Sequence, residues 1–281
     1  MQKILMPTDF SENSLNAIKY ATELFKHNPA EIYLLHAFAD EVYEAKARLA
    51  DEIFNELQQK TRERAEHELA ELRKKVIEFS PNPKHTIHTI SEFGLLVDAT
   101  NNWVEKENID VVVMGTKGKT ADTKLTFGSN TLQVIKYVKC PVLAIPAVYE
   151  DVHPNNLLFP TDFLLPYKRR ELKLVSTIAR CFASKVDFLY VSKFPTLSLR
   201  QQDNKNFLEA TFSENKVDFK QEYNTDVTKA INTFIVENPI DMLVMINTRH
   251  SYLENILYQS TIEKIGLHID IPFLVLQNLP R

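Results

Sequence analysis

Short apolar runs alternate along this chain with stretches whose apolar positions recur every three or four residues. In the first half, Lys3–Met6, Ile32–Phe38, His85–Ile90, Asp110–Met114 and Pro141–Ile145 are rich in Ile, Val and Leu, with little polar alternation. Strands covered on both faces have that composition, which predicts a parallel sheet. Between them, Ser11–Phe25 reads as a helix, with Ser11 as N-cap and Leu15, Ile18, Ala21, Leu24 and Phe25 on one face. Residues 44–79 are highly charged, yet Leu49, Ile53, Leu57, Leu69, Leu72, Val76 and Phe79 keep helical spacing until Pro81 and Pro83 end the segment. That helix reads as a solvated cover, at most a partner surface. Leu95–Glu107 and Ser129–Val138 complete the alternation of strand and helix, the pattern of a doubly wound α/β domain.

The pattern occurs twice. Ile4-Leu5-Met6-Pro7-Thr8-Asp9-Phe10 returns as Leu157-Leu158-Phe159-Pro160-Thr161-Asp162-Phe163, an offset of 153. Asp110–Met114 returns as Asp241–Met245 and Cys140–Ile145 as Ile271–Leu276, both at an offset of 131. The second copy therefore has a shorter middle. Its strand candidates are Asn156–Pro160, Lys185–Val191, Asp218–Tyr223, Asp241–Ile246 and Pro272–Leu276, whereas residues 193–215, polar and weakly periodic, read as a loop with a short helix at most. Self-similarity at this period predicts two tandem Rossmann-like domains, 1–148 and 153–281, each built on a five-stranded parallel sheet.

A chain of 281 residues, 44% hydrophobic and 25% charged, can bury a core in each half. Its net charge of −4 argues against nucleic acid as a partner. No run approaches the roughly 20 apolar residues of a membrane span, and the start meets Asp9 too soon for a signal peptide, so the chain reads as cytoplasmic. Cys140 and Cys181 lack metal-ligand spacing and read as small hydrophobes.

The candidate chemistry lies where strands end. Asp9 follows the first strand, Ala37 ends the second and Gly115 follows the fourth. Three of the chain's five glycines, Gly115, Gly118 and Gly128, fall within one short stretch, and Ser129, Asn130 and Thr131 open the next helix. Glycine permits close approach of backbone to a ligand and positive φ, and a helix start offers unpaired N–H groups to phosphate. Ser129 and Thr131 add hydroxyls, and Lys117, Lys119 and Lys124 add positive charge. Singly, each glycine is more simply a turn and Gly-Ser a cap; the combined spacing points to phosphate. On this view Gly115→Val removes binding and spares the fold. The signatures G-x4-G-K-[ST] and G-x-S-x-G are absent, and Pro-Thr-Asp stands where a dinucleotide fingerprint would begin. His36 reads as a hydrogen-bonded core histidine, and His85 and His88 point to opposite faces of a strand. No catalytic group or metal cluster is assigned.

Pro7-Thr8-Asp9-Phe10-Ser11, Leu34-Leu35-His36-Ala37, Asp110 to Thr120 and Gly128-Ser129-Asn130-Thr131 together resemble the universal stress protein family, over essentially the whole chain. The glycine motif is similar to that of ATP-binding members. The resemblance implies an adenine nucleotide alpha hydrolase-like fold binding ATP with magnesium. Pro7, Thr8 and Asp9 would line the adenosine side, Asp9 also helping to hold metal-bound triphosphate. Ala37 would meet adenine through its backbone beside Met114, Gly115 and Gly118 would border ribose and phosphates, and Gly128 to Thr131 would cradle the triphosphate. Asn130 is more polar than the residue often found there. The resemblance also implies pairing of Pro141–Ile145 with Pro272–Leu276, an internal pseudo-dimer, with homo-oligomers open.

In the second copy Ile246, Arg249 and Gln259 replace Gly115, Gly118 and Gly128, while Ser260, Thr261 and Asp162 keep polar places. Branched Ile246 and bulky Gln259 predict a degenerate site. The functional expectation is a nucleotide-dependent stress-response or signalling module. A slow ATPase or self-phosphorylating enzyme is the alternative, disfavoured because no base is placed to activate water.

Overall fold

The apolar runs become strands, and burial on both faces accounts for their composition. In the computed structural model these are β1 (Gln2–Pro7), β2 (Ala30–Ala37), β3 (His85–Glu92), β4 (Val111–Gly115) and β5 (Val142–Ile145). Residues 1–46, 51–117, 127–147, 149, 151–192, 194, 196–224, 226–248, 251–253 and 270–278 are described, and they fall into two units, one within 1–150 and one within 151–281. Ile4, Leu5, Ile32, Leu34, Val112 and Leu143 are wholly buried. Each such side chain stabilises the fold by about 1.5–3 kcal/mol relative to exposure.

In the first unit β1 pairs in parallel with β2 from Gln2 opposite Ala30 to Pro7 opposite Leu35, and on its other side with β4. With β2 beside β3 and β4 beside β5, the order is β3-β2-β1-β4-β5. The chain builds outward from β1 in one direction and then returns to build in the other, so the switch point lies between β1 and β4.

Helix α1 (Glu12–Leu24) begins where Ser11, in extended backbone, accepts the Ser14 N–H, and it buries Ala17, Ile18, Ala21 and Leu24. The segment expected as one helix over 44–79 is helical throughout its described residues, in α2 (Ala39–Lys46) and α3 (Asp51–Phe79), with residues 47–50 outside the described part. The first of them starts directly after β2, earlier than periodicity suggested. Ala65, Leu69, Leu72 and Val76 of α3 are buried and pack it over β3 and β2. Helices α4 (Leu96–Glu107) and α5 (Ser129–Tyr137) complete the unit.

The second unit repeats the plan with β6 (Asn156–Pro160), α6 (Arg169–Cys181), β7 (Lys185–Val191), α7 (Leu199–Thr211), β8 (Lys216–Glu222), α8 (Val227–Glu237), β9 (Met242–Asn247) and β10 (Phe273–Gln277). Its pairings are all parallel, in the order β8-β7-β6-β9-β10. The expected loop over 193–215 instead contains the 13-residue α7. Only Leu208 of that helix is buried, so little periodicity marks it, and its start is fixed locally by reciprocal bonds between Ser198 and Gln201. Phe159, Phe188 and Phe212 are wholly buried, with Phe188 stacked on Phe219 at 5.1 Å.

Both cysteines are free; burial pushes the Cys140 thiol up to about 12, in keeping with a packing role. Among the described residues no helix is long and apolar enough to cross a membrane.

Helix α6 ends in a Schellman arrangement: Ser184 N–H donates to Ala179 O at 2.7 Å and Ala183 N–H to Arg180 O at 3.3 Å. This requires left-handed backbone at Ala183, with φ of 52°, although alanine carries a Cβ. Because Ala183 is exposed, Ala183→Gly removes the strain without loss of packing. The expected gain is about 1 kcal/mol, read as a raised denaturation midpoint at unchanged slope.

Candidate functional site

Strands β1, β2 and β4 run parallel and end on one edge of the first unit, and a cluster of hydrogen bonds ties those ends together. Thr8 N–H donates to Leu35 O at 2.8 Å. The Thr8 hydroxyl oxygen accepts the Phe10 N–H at 3.0 Å and lies 3.0 Å from the Ser14 hydroxyl. Asp9 Oδ1 accepts both the N–H and the hydroxyl of Ser11, at 3.1 and 2.6 Å. Together these bonds hold Phe10 at φ 60°, a conformation costly for a bulky side chain unless its surroundings impose it.

On the β2 side, buried His36 places Nδ1 2.8 Å from Thr8 O and Nε2 3.0 Å from Glu41 Oε1. The other Glu41 oxygen pairs with Arg64 of α3. Thus α3, through Arg64, Glu41 and His36, is tied to the carboxyl end of β1.

On the β4 side, Thr116 N–H donates to Ile145 O, and Thr116 O accepts the Gly128 N–H, both at 2.8 Å. The Thr131 hydroxyl donates to Gly115 O at 3.0 Å. These bonds set the start of α5 beside the end of β4. Gly128 is its N-cap, with φ −71° and ψ 161° and no side chain to cap the first turn. The N–H groups of that turn are left for another acceptor.

Between the two sides lies a cavity of about 430 Å³. It is lined by Pro7, Thr8, Asp9, Ala37, Met114, Gly115, Asn130 and Thr131, all singled out in the sequence. Gly128 and Ser129 form the helix start without lining the cavity, and Gly118, Lys119 and Lys124 lie outside the described residues. The lining also includes Phe10, Ser14, His36, Asp40, Glu41, Arg64, Glu68, Leu96 and Lys117. The contribution of α2 and α3 was missed because a charged, exposed helix resembles a solvated cover. Ser14 had a usable signal: the offset of 153 sets Tyr167 opposite it in the second copy.

Gly115 has a packing role beside the ligand-facing one that the sequence suggested. No described glycine has a positive φ. A Cβ on Gly115 would meet Asn13 O at 3.1 Å, Asn13 C at 3.3 Å and Lys117 O at 3.3 Å, all backbone atoms. Gly115 therefore lets β4 pass close to the start of α1, and a side chain there strains the fold itself.

The second unit keeps the turn and closes the part of the cleft beside Thr161, while a cavity of about 590 Å³ lined by Asp162, Tyr190, Val191, Gln201 and Tyr252 stands at the end of β7. Thr161 accepts the Phe163 N–H at 2.9 Å, Asp162 accepts the Leu164 N–H at 2.8 Å, and Phe163 has φ 57°. Tyr167, buried, takes the place of Ser14 and pairs its hydroxyl with Thr161. Its ring, with Leu165, Ile246, Tyr252 and Leu253, leaves about 10 Å³ among the described residues, scarcely room for one water. Burial pushes the Asp162 carboxyl above the usual carboxylate range. Arg249, Gln259, Ser260 and Thr261 lie outside the described residues.

Two doubly wound parallel sheets, with an open cleft at the switch point of the first, define an α/β protein of the tandem Rossmann-like class. The chain belongs to the universal stress protein family, whose sequence model matches residues 1–146. A universal stress protein of Methanocaldococcus jannaschii is 32% identical over 149 residues, covering 51% of this chain and 81% of the relative. Universal stress protein G of Salmonella typhimurium is 31% identical over 145 residues, covering 50% and 96%. The crystal structure of a universal stress protein from Archaeoglobus fulgidus matches 98% of this chain and 96% of its own, with a TM-score of 0.69 at 20% identity. That likeness extends the shared fold over both units.

Because its missing Cβ faces backbone, Gly115→Val should destabilise the ligand-free protein by about 1–3 kcal/mol. Melting without any nucleotide checks this; an unchanged midpoint would return Gly115 to a purely ligand-facing role.

Proposed function

We propose that the first unit binds ATP, with magnesium, and that the chain acts as a nucleotide-dependent stress-response or signalling module. The cavity of about 430 Å³ at the switch point carries this reading. Its size falls within the usual range for small-molecule sites, and in doubly wound folds ligands collect at this place. Lys117 and the uncapped first turn of α5 suit phosphate oxygens. Ala37 and Met114 provide an apolar slot on the way to β2, the side that the family resemblance gives to adenine. Oδ1 of Asp9 already accepts two hydrogen bonds from Ser11. Magnesium would accordingly take most of its oxygen ligands from the phosphates and water, as this ion usually does.

Binding is favoured over hydrolysis by the engagement of His36. Asp9 and Glu41 are already bonded, and Asp40 and Glu68 stand at the β2 end, away from the helix start that suits phosphate. A further cavity-lining side chain of a kind used as general base is His36. Both of its ring nitrogens are already occupied, by Thr8 O and by Glu41. The second unit, in which Tyr167 and Tyr252 close the part of the cleft beside Thr161, is on this reading a companion repeat without nucleotide.

Mass spectrometry of the denatured protein should recover adenine nucleotide carried through purification. Added ATP at a hundredfold excess over Kd should stabilise the fold by about 2.7 kcal/mol. Ser14→Tyr transfers the plug of the second unit into the first and keeps a hydroxyl for Thr8; it should abolish that stabilisation while the ligand-free protein stays folded. Absence of both nucleotide and stabilisation in the unaltered protein sinks the proposal, as does full stabilisation of Ser14→Tyr.

A further inference from the structure

The cleft has opposite charge at its two ends. Neighbouring strands lie about 4.8 Å apart, so the path from β2 across β1 to β4 covers roughly 10 Å. At the β4 end stand Gly115, Lys117 and the first turn of α5. At the β2 end, α2 and α3 supply Asp40, Glu41, Arg64 and Glu68. His36 and Arg64 occupy the two oxygens of Glu41, so this carboxylate is matched within the wall. Asp40 and Glu68 are not matched: both line the cavity, and neither carboxylate has a hydrogen bond or ion pair with any described residue.

Resting on the nucleotide reading above, we propose that Asp40 and Glu68 select the base, favouring an exocyclic amino group over a keto group at the same ring position. An ionised carboxylate only accepts hydrogen bonds. An amino group turned toward this wall supplies two donors, whereas a keto oxygen sets its lone pairs against negative charge. The acidic end also repels phosphate, which fixes the sense of binding: phosphates toward α5, base toward α2 and α3. The wall adjoins solvent, since Asp40 is exposed and Glu68 half-buried, so water moderates the discrimination. It stays well below the ratios of 10⁴ or more seen where a polar site is fully buried, on the order of tenfold.

The test compares ATP with inosine triphosphate, which differs by a keto in place of the 6-amino group, using calorimetric titration of the full chain. The unaltered protein should bind ATP about tenfold more tightly. In the double variant Asp40→Asn, Glu68→Gln, each carboxamide can donate as well as accept, so the ratio should fall to about twofold, mainly through tighter binding of inosine triphosphate. Both positions have access to solvent, and the ligand-free melting temperature of the variant verifies its fold. Equal affinities in the unaltered protein, or an unchanged ratio in the variant, overturn base selection while leaving nucleotide binding in place. Failure of either nucleotide to bind overturns both.

Discussion

The end of β1 is held by a single residue using every polar group it has. Thr8 donates its N–H to Leu35, accepts from Phe10 at its hydroxyl, meets Ser14 there as well, and offers its carbonyl to His36. These links join β1 to β2, to the start of α1, and through His36, Glu41 and Arg64 to the middle of α3. Individually they contribute little; the exposed Arg64–Glu41 pair belongs to a class that contributes about 0–1 kcal/mol. Their value lies in geometry. A left-handed Phe10 persists only because the turn around it is fixed from several sides, and the same turn sets the floor of the cleft.

The second unit shows which part of this arrangement belongs to the fold and which to a ligand. Thr161 repeats the role of Thr8, Phe163 repeats the left-handed backbone, and a hydroxyl still meets the threonine. Only what carries that hydroxyl differs, a methylene in Ser14 and a ring in Tyr167. The scaffold thus tolerates space or a ring beside this threonine with the same hydrogen bonds. Filling that space buries aromatic surface, a gain in stability that the open copy forgoes.

The strands and the repeat were legible in sequence because parallel sheets need continuous apolar runs, and Lys185–Val191 was read to its ends. The residues at the floor and at the α5 side of the cavity were legible too, since they sit within a few positions of strand ends. The opposite wall was not. Arg64 and Glu68 are reached only after the chain has turned back over β3, and nothing local distinguishes them from the other charges of α3. Helix α7 was missed for a related reason: with one buried residue it has no apolar face to display, and its capping pair is the sole local clue. Gly115 has a packing role that the sequence did not display, because its missing Cβ faces the backbone of Asn13, which no local spacing reveals.

This division has a physical basis. The positive end of the cleft comes from the start of α5, and any doubly wound domain that opens a helix there will have it, whatever the side chains. On the proposed reading the fold favours an anion there without specifying what the anion is attached to. The negative end is written in the side chains of α2 and α3, elements laid beside the sheet after β2 and free to vary without disturbing it. Selectivity can change there at little cost to stability, because the carboxylates of Asp40 and Glu68 bond to nothing else described in the protein. On the proposed reading, the long charged helix that looked like a cover helps to make this cleft particular to one ligand.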